Sequence, residues 1–152
     1  MERLWTPWRF SYITKESSAV SPVKESACVF CAIRDARQNG IDDGETLVLF
    51  RGAQNLIVLN IYPYISGHLL IVPYQHVDEL DVLEKVASDE MMDLAKTCQT
   101  ALRKAYNPHG YNVGMNLGSA AGAGIAGHIH LHIMPRWVGD ANFITTVGET
   151  RT

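Results

Sequence analysis

Cysteine is too scarce in this chain for a disulfide scaffold: there are three, an odd number, and two of them lie close together at Cys28 and Cys31. That usage fits a reducing compartment. Long apolar runs are missing too. Nothing approaches the length of a membrane span, and the start, MERLWTPWRFSYI, lacks a basic region followed by a continuous apolar stretch. No membrane partner is expected, and the cytoplasm is the expected location. Positive charge is short as well: 13 Lys and Arg against 16 Asp and Glu give a formal net charge of −3. Without a Lys/Arg cluster interleaved with aromatics, a nucleic acid polymer is not an expected partner. No internal repeat is visible. What remains, 152 residues with 47% apolar and 19% charged side chains, suits one domain with its own core.

Against that background one stretch stands out. GHIHLHIMP, residues 127–135, puts His128, His130 and His132 on alternate positions with Ile129, Leu131 and Ile133 between them. In a strand, successive side chains point to opposite faces, so the three imidazoles share one face and the aliphatic residues the other. Pro135 has no N–H for a ladder and is expected to end the strand.

The rest of the chain reads as an α+β domain. Residues 1–27, with Trp5, Trp8, Phe10 and Tyr12, read as an extended arm tied down by its aromatics on the domain or on a partner subunit. A short helix is expected from Cys28 to about Gln38, stopped by Asn39-Gly40. TLVLFR (46–51) and NLIVLNI (55–61) form a hairpin pattern, and HLLIV (68–72) a third strand closed by Pro73. The best helix is expected over 88–106, with Ser88 as cap, Asp89 and Glu90 in the first turn, and Arg103 and Lys104 in the last. Met91, Leu94, Ala95, Cys98 and Leu102 recur there at helical spacing, which makes Cys98 a core thiol without chemistry. Residues 111–117 return as a strand. Strands following one another without intervening helices predict a mainly antiparallel sheet, with the long and the short N-terminal helix packed on one side of it.

Two further features bear on chemistry. Residues 114–127, GMNLGSAAGAGIAG, carry five glycines and no charge. Glycine lets backbone N–H groups converge on one anionic oxygen, although a long hairpin connection would also be rich in it. The Gly-Lys-Ser/Thr ending of a P-loop is absent. Three imidazoles in register could bind a metal, act in nucleophilic and acid–base chemistry, or be an accident of a half-exposed strand. A neutral imidazole attacks phosphorus well, because the attacking nitrogen becomes cationic as the phosphoryl group gathers negative charge. The Cys28/Cys31 pair admits a redox motif, half of a zinc site, or two packed thiols.

HIHLHIM, residues 128–134, resembles the His-Φ-His-Φ-His-ΦΦ signature of the histidine triad superfamily of nucleotidyl hydrolases and transferases, Φ being apolar. LNIYPYISGHLLIVP (59–73) resembles the family's strand–turn–strand, and residues 112–122 its phosphate loop. The resemblance implies a domain spanning 28–143, followed by a tail at 144–152, and a homodimer acting on a nucleotide. It implies His130 as the nucleophile on the α-phosphate, His132 as its hydrogen-bonding support, and His68 as an orienting catalytic group. It also implies Asn60 at the ribose, Asn112, Asn116, Gly122 and Gly124 around the substrate, and a structural zinc held by Cys28, Cys31, His76 and His128. No catalytic metal is evident. Gly124 replaces the Gln or Ser that many hydrolases and phosphoramidases of the family carry. With flanks RLWTPWR and PRWVGDANF it resembles the bacterial diadenosine tetraphosphate phosphorylase branch, in which inorganic phosphate resolves the intermediate. The competing expectations are a water-using hydrolase or AMP phosphoramidase, a non-catalytic nucleotide-binding module, and a zinc enzyme with the triad as ligands.

Overall fold

In NLIVL and LLIVP nearly every residue is buried, which a strand achieves only when both faces of its sheet are covered. The computed structural model describes residues 28–140 and shows how. Strands β1 (Val48–Arg51), β2 (Asn55–Leu59), β3 (Leu69–Pro73), β4 (Gly110–Gly114) and β5 (Leu131–Arg136) form one sheet in the order β1-β2-β3-β5-β4. Every neighbouring pair is antiparallel. The expected arm aromatics, the tail and residues 141–143 lie outside the described residues.

The two helices cover opposite faces. Helix α2 (Lys85–Tyr106) sets Met91, Leu94, Cys98 and Leu102 against Ile57, Leu69, Ile71, Ile129, Leu131 and Ile133. Helix α1 (Val29–Asp35) sets Phe30 against Val48, Leu56, Val58, Leu70 and Val72. The expectation of helices on one side is therefore corrected. The continuous apolar runs of β2 and β3 carried that information, since a sheet covered on one face alternates apolar with polar.

Helix α2 begins a turn earlier than Ser88. Glu84 occupies the cap position, Ala87 and Ser88 donate backbone N–H bonds to its carbonyl, and Ser88 Oγ bonds back to Lys85 O. Ala87, 2% exposed, belongs to the core, so burial extends the helix past the cap signal. Its end is as expected, with Asn107 left-handed (φ 46°) and its N–H on Arg103 O. Helix α1 gives way to a 3-10 turn over Ala36–Asn39 that closes at Gly40, φ 78°. Asn60 ends β2 two residues early because its Oδ1 accepts the Tyr62 N–H at 2.9 Å.

Of the three alternating histidines only His132 lies inside β5. Ile129 N–H goes instead to Val77 O at 2.8 Å. The alternation of faces nevertheless persists: Ile129, Leu131 and Ile133 join the α2 side, and the rings of His128 and His130 meet Phe30 on the other. The strand runs through Pro135 to Arg136. Pairing with β3 stops at Leu69↔Ile133, so Pro135 faces no β3 partner and pairs only with Tyr111 of β4.

Candidate active site and metal centre

On the α1 side of the sheet a cavity of about 510 Å³ opens between α1, the β1–β2 hairpin, the segment after β2 and the glycine loop. Phe30, Ile33, Leu47, Val58 and Ile125 give it apolar walls, and Asn60, Asn116, Gly122, Gly124, His130 and His132 line it as well. Asn112 lies on β4 opposite Met134 and is not among the lining residues. Asn116 Nδ2 bonds Gly122 O at 3.3 Å and ties the loop across itself. The loop bends at Gly118 and Gly122, whose φ values of 77° and 85° lie in the left-handed region.

His130 is 7% exposed, and its Nδ1 lies 2.9 Å from the backbone oxygen of His128. A carbonyl only accepts, so Nδ1 carries the proton and Nε2 keeps the lone pair. Burial holds this imidazole below the usual histidine range despite the favourable carbonyl, which keeps it neutral at pH 7.

A second chain of bonds runs behind it. His68 Nδ1 faces two donors, the Tyr64 N–H at 3.2 Å and Asn60 Nδ2 at 3.3 Å. The Asn60 amide is oriented by the Tyr62 N–H on its oxygen. Nδ1 of His68 is thus the acceptor, and its Nε2–H donates to His132 Nδ1 at 2.8 Å. His132 consequently carries its own proton on Nε2, beside an imidazole 4.8 Å away, ring to ring, that offers a lone pair. Tyr64 stacks on His68 with centroids 5.3 Å apart. One ring offers a lone pair and its neighbour a proton.

Cys28 Sγ, Cys31 Sγ, His76 Nδ1 and His128 Nδ1 all lie within 4.8 Å of one another. The separations Cys28–His128, Cys31–His76, His76–His128 and Cys31–His128 are 3.3, 3.3, 3.2 and 3.7 Å. A tetrahedral zinc, with bonds of about 2.3 Å to sulfur and about 2.0 Å to nitrogen, has ligand–ligand edges of about 3.3–3.8 Å. The four residues fit such an ion. His128 Nε2 donates to Pro73 O at 2.9 Å, which leaves Nδ1 as the lone pair facing the cluster, the usual backbone support of a ligating imidazole. Burial and the neighbouring Cys28 push the Cys31 thiol up.

All the catalytic and metal residues expected from the sequence therefore assemble at adjoining places. What sequence reading missed is the surrounding wall and backbone. Phe30, inside the cysteine pair, touches the rings of His128 and His130, and the Pro73 and His128 carbonyls set tautomers. Leu47 stands in the cavity wall at φ 59°, which nothing in its local sequence announces.

The HIT domain family model matches residues 43–138. The chain belongs to the HIT domain family. Among curated HIT relatives, the AP-4-A phosphorylase of Mycobacterium tuberculosis is 42% identical over 99% of this chain and 76% of its own length. The adenosine 5'-monophosphoramidase of Schizosaccharomyces pombe is 30% identical over 72% of this chain and 74% of its own. A solved Zn-bound histidine triad family protein from Mycobacterium smegmatis superposes with a TM-score of 0.64 and 29% identity, covering 77% of this chain and 81% of that one. The five-stranded antiparallel sheet with one long and one short helix is the fold expected from the sequence.

Proposed function

We propose that this HIT domain is a nucleotidyl-transferring enzyme that cleaves dinucleoside polyphosphates, with diadenosine tetraphosphate and inorganic phosphate as substrates and ADP and ATP as products. The observation that carries the reading is the paired tautomers of His130 and His132. His130 Nε2 attacks the α-phosphorus, and the bond from that phosphorus to the bridging oxygen breaks. The leaving ATP oxygen takes the proton from His132 Nε2. A phosphate oxygen then attacks the His130-bound phosphorus, the P–N bond breaks, and ADP leaves. His68 is the positioning residue for His132. Asn60 serves the ribose, and Asn116, Gly122 and Gly124 the phosphates, while the apolar walls take the base; Asn112, outside the cavity lining, is given no substrate contact.

Support for phosphorolysis comes from the 42% identical relative named for that activity and from Gly124 in the cavity lining, where the absence of a side chain leaves room for an acceptor anion. Cys28, Cys31, His76 and His128 hold a structural zinc in this reading. Bound there, the ion supplies a cross-link between α1, the segment after β3 and the triad, and takes no part in bond cleavage. The domain spans 28–143 with an arm at 1–27 and a tail at 144–152, and works as a cytoplasmic homodimer. Among the described residues no helix is long and apolar enough to cross a membrane.

The deciding experiment incubates the protein with diadenosine tetraphosphate, with and without inorganic phosphate, and separates the products. ADP and ATP formed only with phosphate support phosphorolysis. AMP and ATP formed without it replace that reading by hydrolysis. Cleavage only of AMP amidates points to the second reading, phosphoramidase, which the Schizosaccharomyces pombe relative favours.

A further inference from the structure

The metal cluster and the nucleophile share one peptide group. Its carbonyl, His128 O, accepts His130 Nδ1–H at 2.9 Å and so decides which nitrogen of His130 keeps the lone pair. Its N–H, that of Ile129, donates to Val77 O at 2.8 Å. The two histidines of the cluster, His76 and His128, are the immediate neighbours of the two ends of that second bond. On the other side Phe30 is carried between Cys28 and Cys31, 4% exposed, with its ring 5.5 Å from that of His128 and 4.9 Å from that of His130. The His128–Ile129 peptide and the Phe30 ring thus join the two sites directly.

The geometry points to the Cys28–Cys31–His76–His128 centre as a brace for the nucleophile, its occupancy orienting the His128–Ile129 peptide and the Phe30 ring and thereby the tautomer and aim of His130. This deepens the proposed function and rests on its assignment of His130 as nucleophile and of the cluster as a metal site. His76 and His128 are positioning residues here and touch no reacting atom. The side chains that fix the tautomer of His132, namely Asn60 and His68, lie outside the cluster, so the donor side of the site is independent of the metal. Support of this kind, one bond removed from the reacting group, is worth about tenfold or more in rate. Most of the cavity wall, including Leu47, Val58, Asn60 and Ile125, is made by residues outside the cluster. Metal loss is therefore expected in the rate of nucleotidyl transfer far more than in nucleotide affinity.

The test compares the full-length zinc-loaded protein with the same protein stripped by a chelator and with stripped protein reloaded with zinc. The first readout needs no substrate: nitrogen-15 spectra of the imidazoles. His130 is expected as a pure Nδ1–H form when loaded and as a mixture when stripped, while His132 keeps its Nε2–H form in both. The second is the single-turnover rate of His130 nucleotidylation from diadenosine tetraphosphate, expected to fall about tenfold or more on stripping, to return with zinc, and to leave AMP affinity within about threefold. A stripped protein that keeps its far-ultraviolet circular dichroism, its His130 tautomer and its single-turnover rate overturns the brace. Should the stripped protein unfold, zinc-loaded Phe30→Leu decides. Its zinc is expected to stay and its single-turnover rate at saturating substrate to fall about threefold or more, and an unchanged rate overturns the proposal. Absence of any zinc binding, or nucleotidylation that survives His130→Ala, would instead remove the underlying assignments.

Discussion

His68 Nε2 sits 2.8 Å from His132 Nδ1, and the direction of that hydrogen bond is fixed from outside the pair, by the Tyr64 N–H and the Asn60 amide on the far nitrogen of His68. A buried ring, 1% exposed, thus decides where its neighbour in the cavity wall carries its proton. His68→Ala removes the donor and lets His132 move its proton to Nδ1. Cleavage of diadenosine tetraphosphate is expected to fall about 10²-fold, with AMP affinity changed by less than about threefold. Single-turnover kinetics beside calorimetric AMP binding checks this. An equal loss in both would make His68 a packing residue.

The turn before His68 depends on Gly67, whose φ is 79°. A Cβ there would lie 3.1 Å from Tyr106 Cε2, 3.2 Å from Leu102 Cδ2 and 3.3 Å from Pro135 Cγ. Gly67→Ala combines a left-handed backbone penalty with crowding against α2 and β5, and is expected to destabilise the fold by about 2–4 kcal/mol. Urea unfolding measures it. A loss under about 0.5 kcal/mol would mean that the turn relaxes freely.

How much of this was legible in the sequence depended on how locally each feature is encoded. The faces of His130 and Ile129 follow from strict alternation, a property of neighbouring residues, and they hold even where the strand hydrogen bonds do not. Gly40 stopped the first helix where its sequence says it should, because a left-handed cap is a one-residue signal. Ser88 misled, since burial of Ala87 draws the helix back to Lys85. The covering of both sheet faces was encoded in NLIVL and LLIVP, but the succession of strands without intervening helices drew the reading to one side. The tautomers could not be read at all: the acceptors on His128 and His130 are carbonyls, which every residue possesses.

Cys28→Ser removes one sulfur from a cluster whose four donor atoms lie within 4.8 Å of one another. The wild-type chain is expected to carry about one zinc and to lose about 3–4 kcal/mol of stability when free zinc drops from 100–1,000 times the dissociation constant to none. The variant is expected to hold far less zinc and to show little further loss with a chelator. Metal analysis and thermal unfolding with and without chelator check both points. A wild type indifferent to chelation would leave packed thiols as the reading of the pair.

Glu90 straps the β1–β2 hairpin to α2. Its Oε1 accepts the Ala53 N–H at 2.7 Å, and its Oε2 accepts the Gln54 N–H at 2.7 Å and Asn55 Nδ2 at 2.8 Å. Burial opposes ionisation here, but the Asn55 amide and the backbone N–H groups of Gln54, Ala53 and Asn55 outweigh it and hold the carboxyl below its usual range. A carboxyl with a depressed folded pKa stabilises the fold above its unfolded value, about 4.3, and loses that contribution as pH falls through the folded one. Glu90→Gln places an amide NH₂ among N–H donors and is expected to cost about 1.5–3 kcal/mol at pH 7. The gap between the two proteins should then narrow on acidification below the unfolded value, because wild type loses the bonds to its carboxylate while the variant has none to lose. Denaturant unfolding at a series of pH values reads this gap directly. A gap that stays constant down to pH 3 would assign the cost to shape and not to charge, and the strap would then owe its strength to packing against Gly52, whose added Cβ would lie 2.8 Å from Glu90 Oε1.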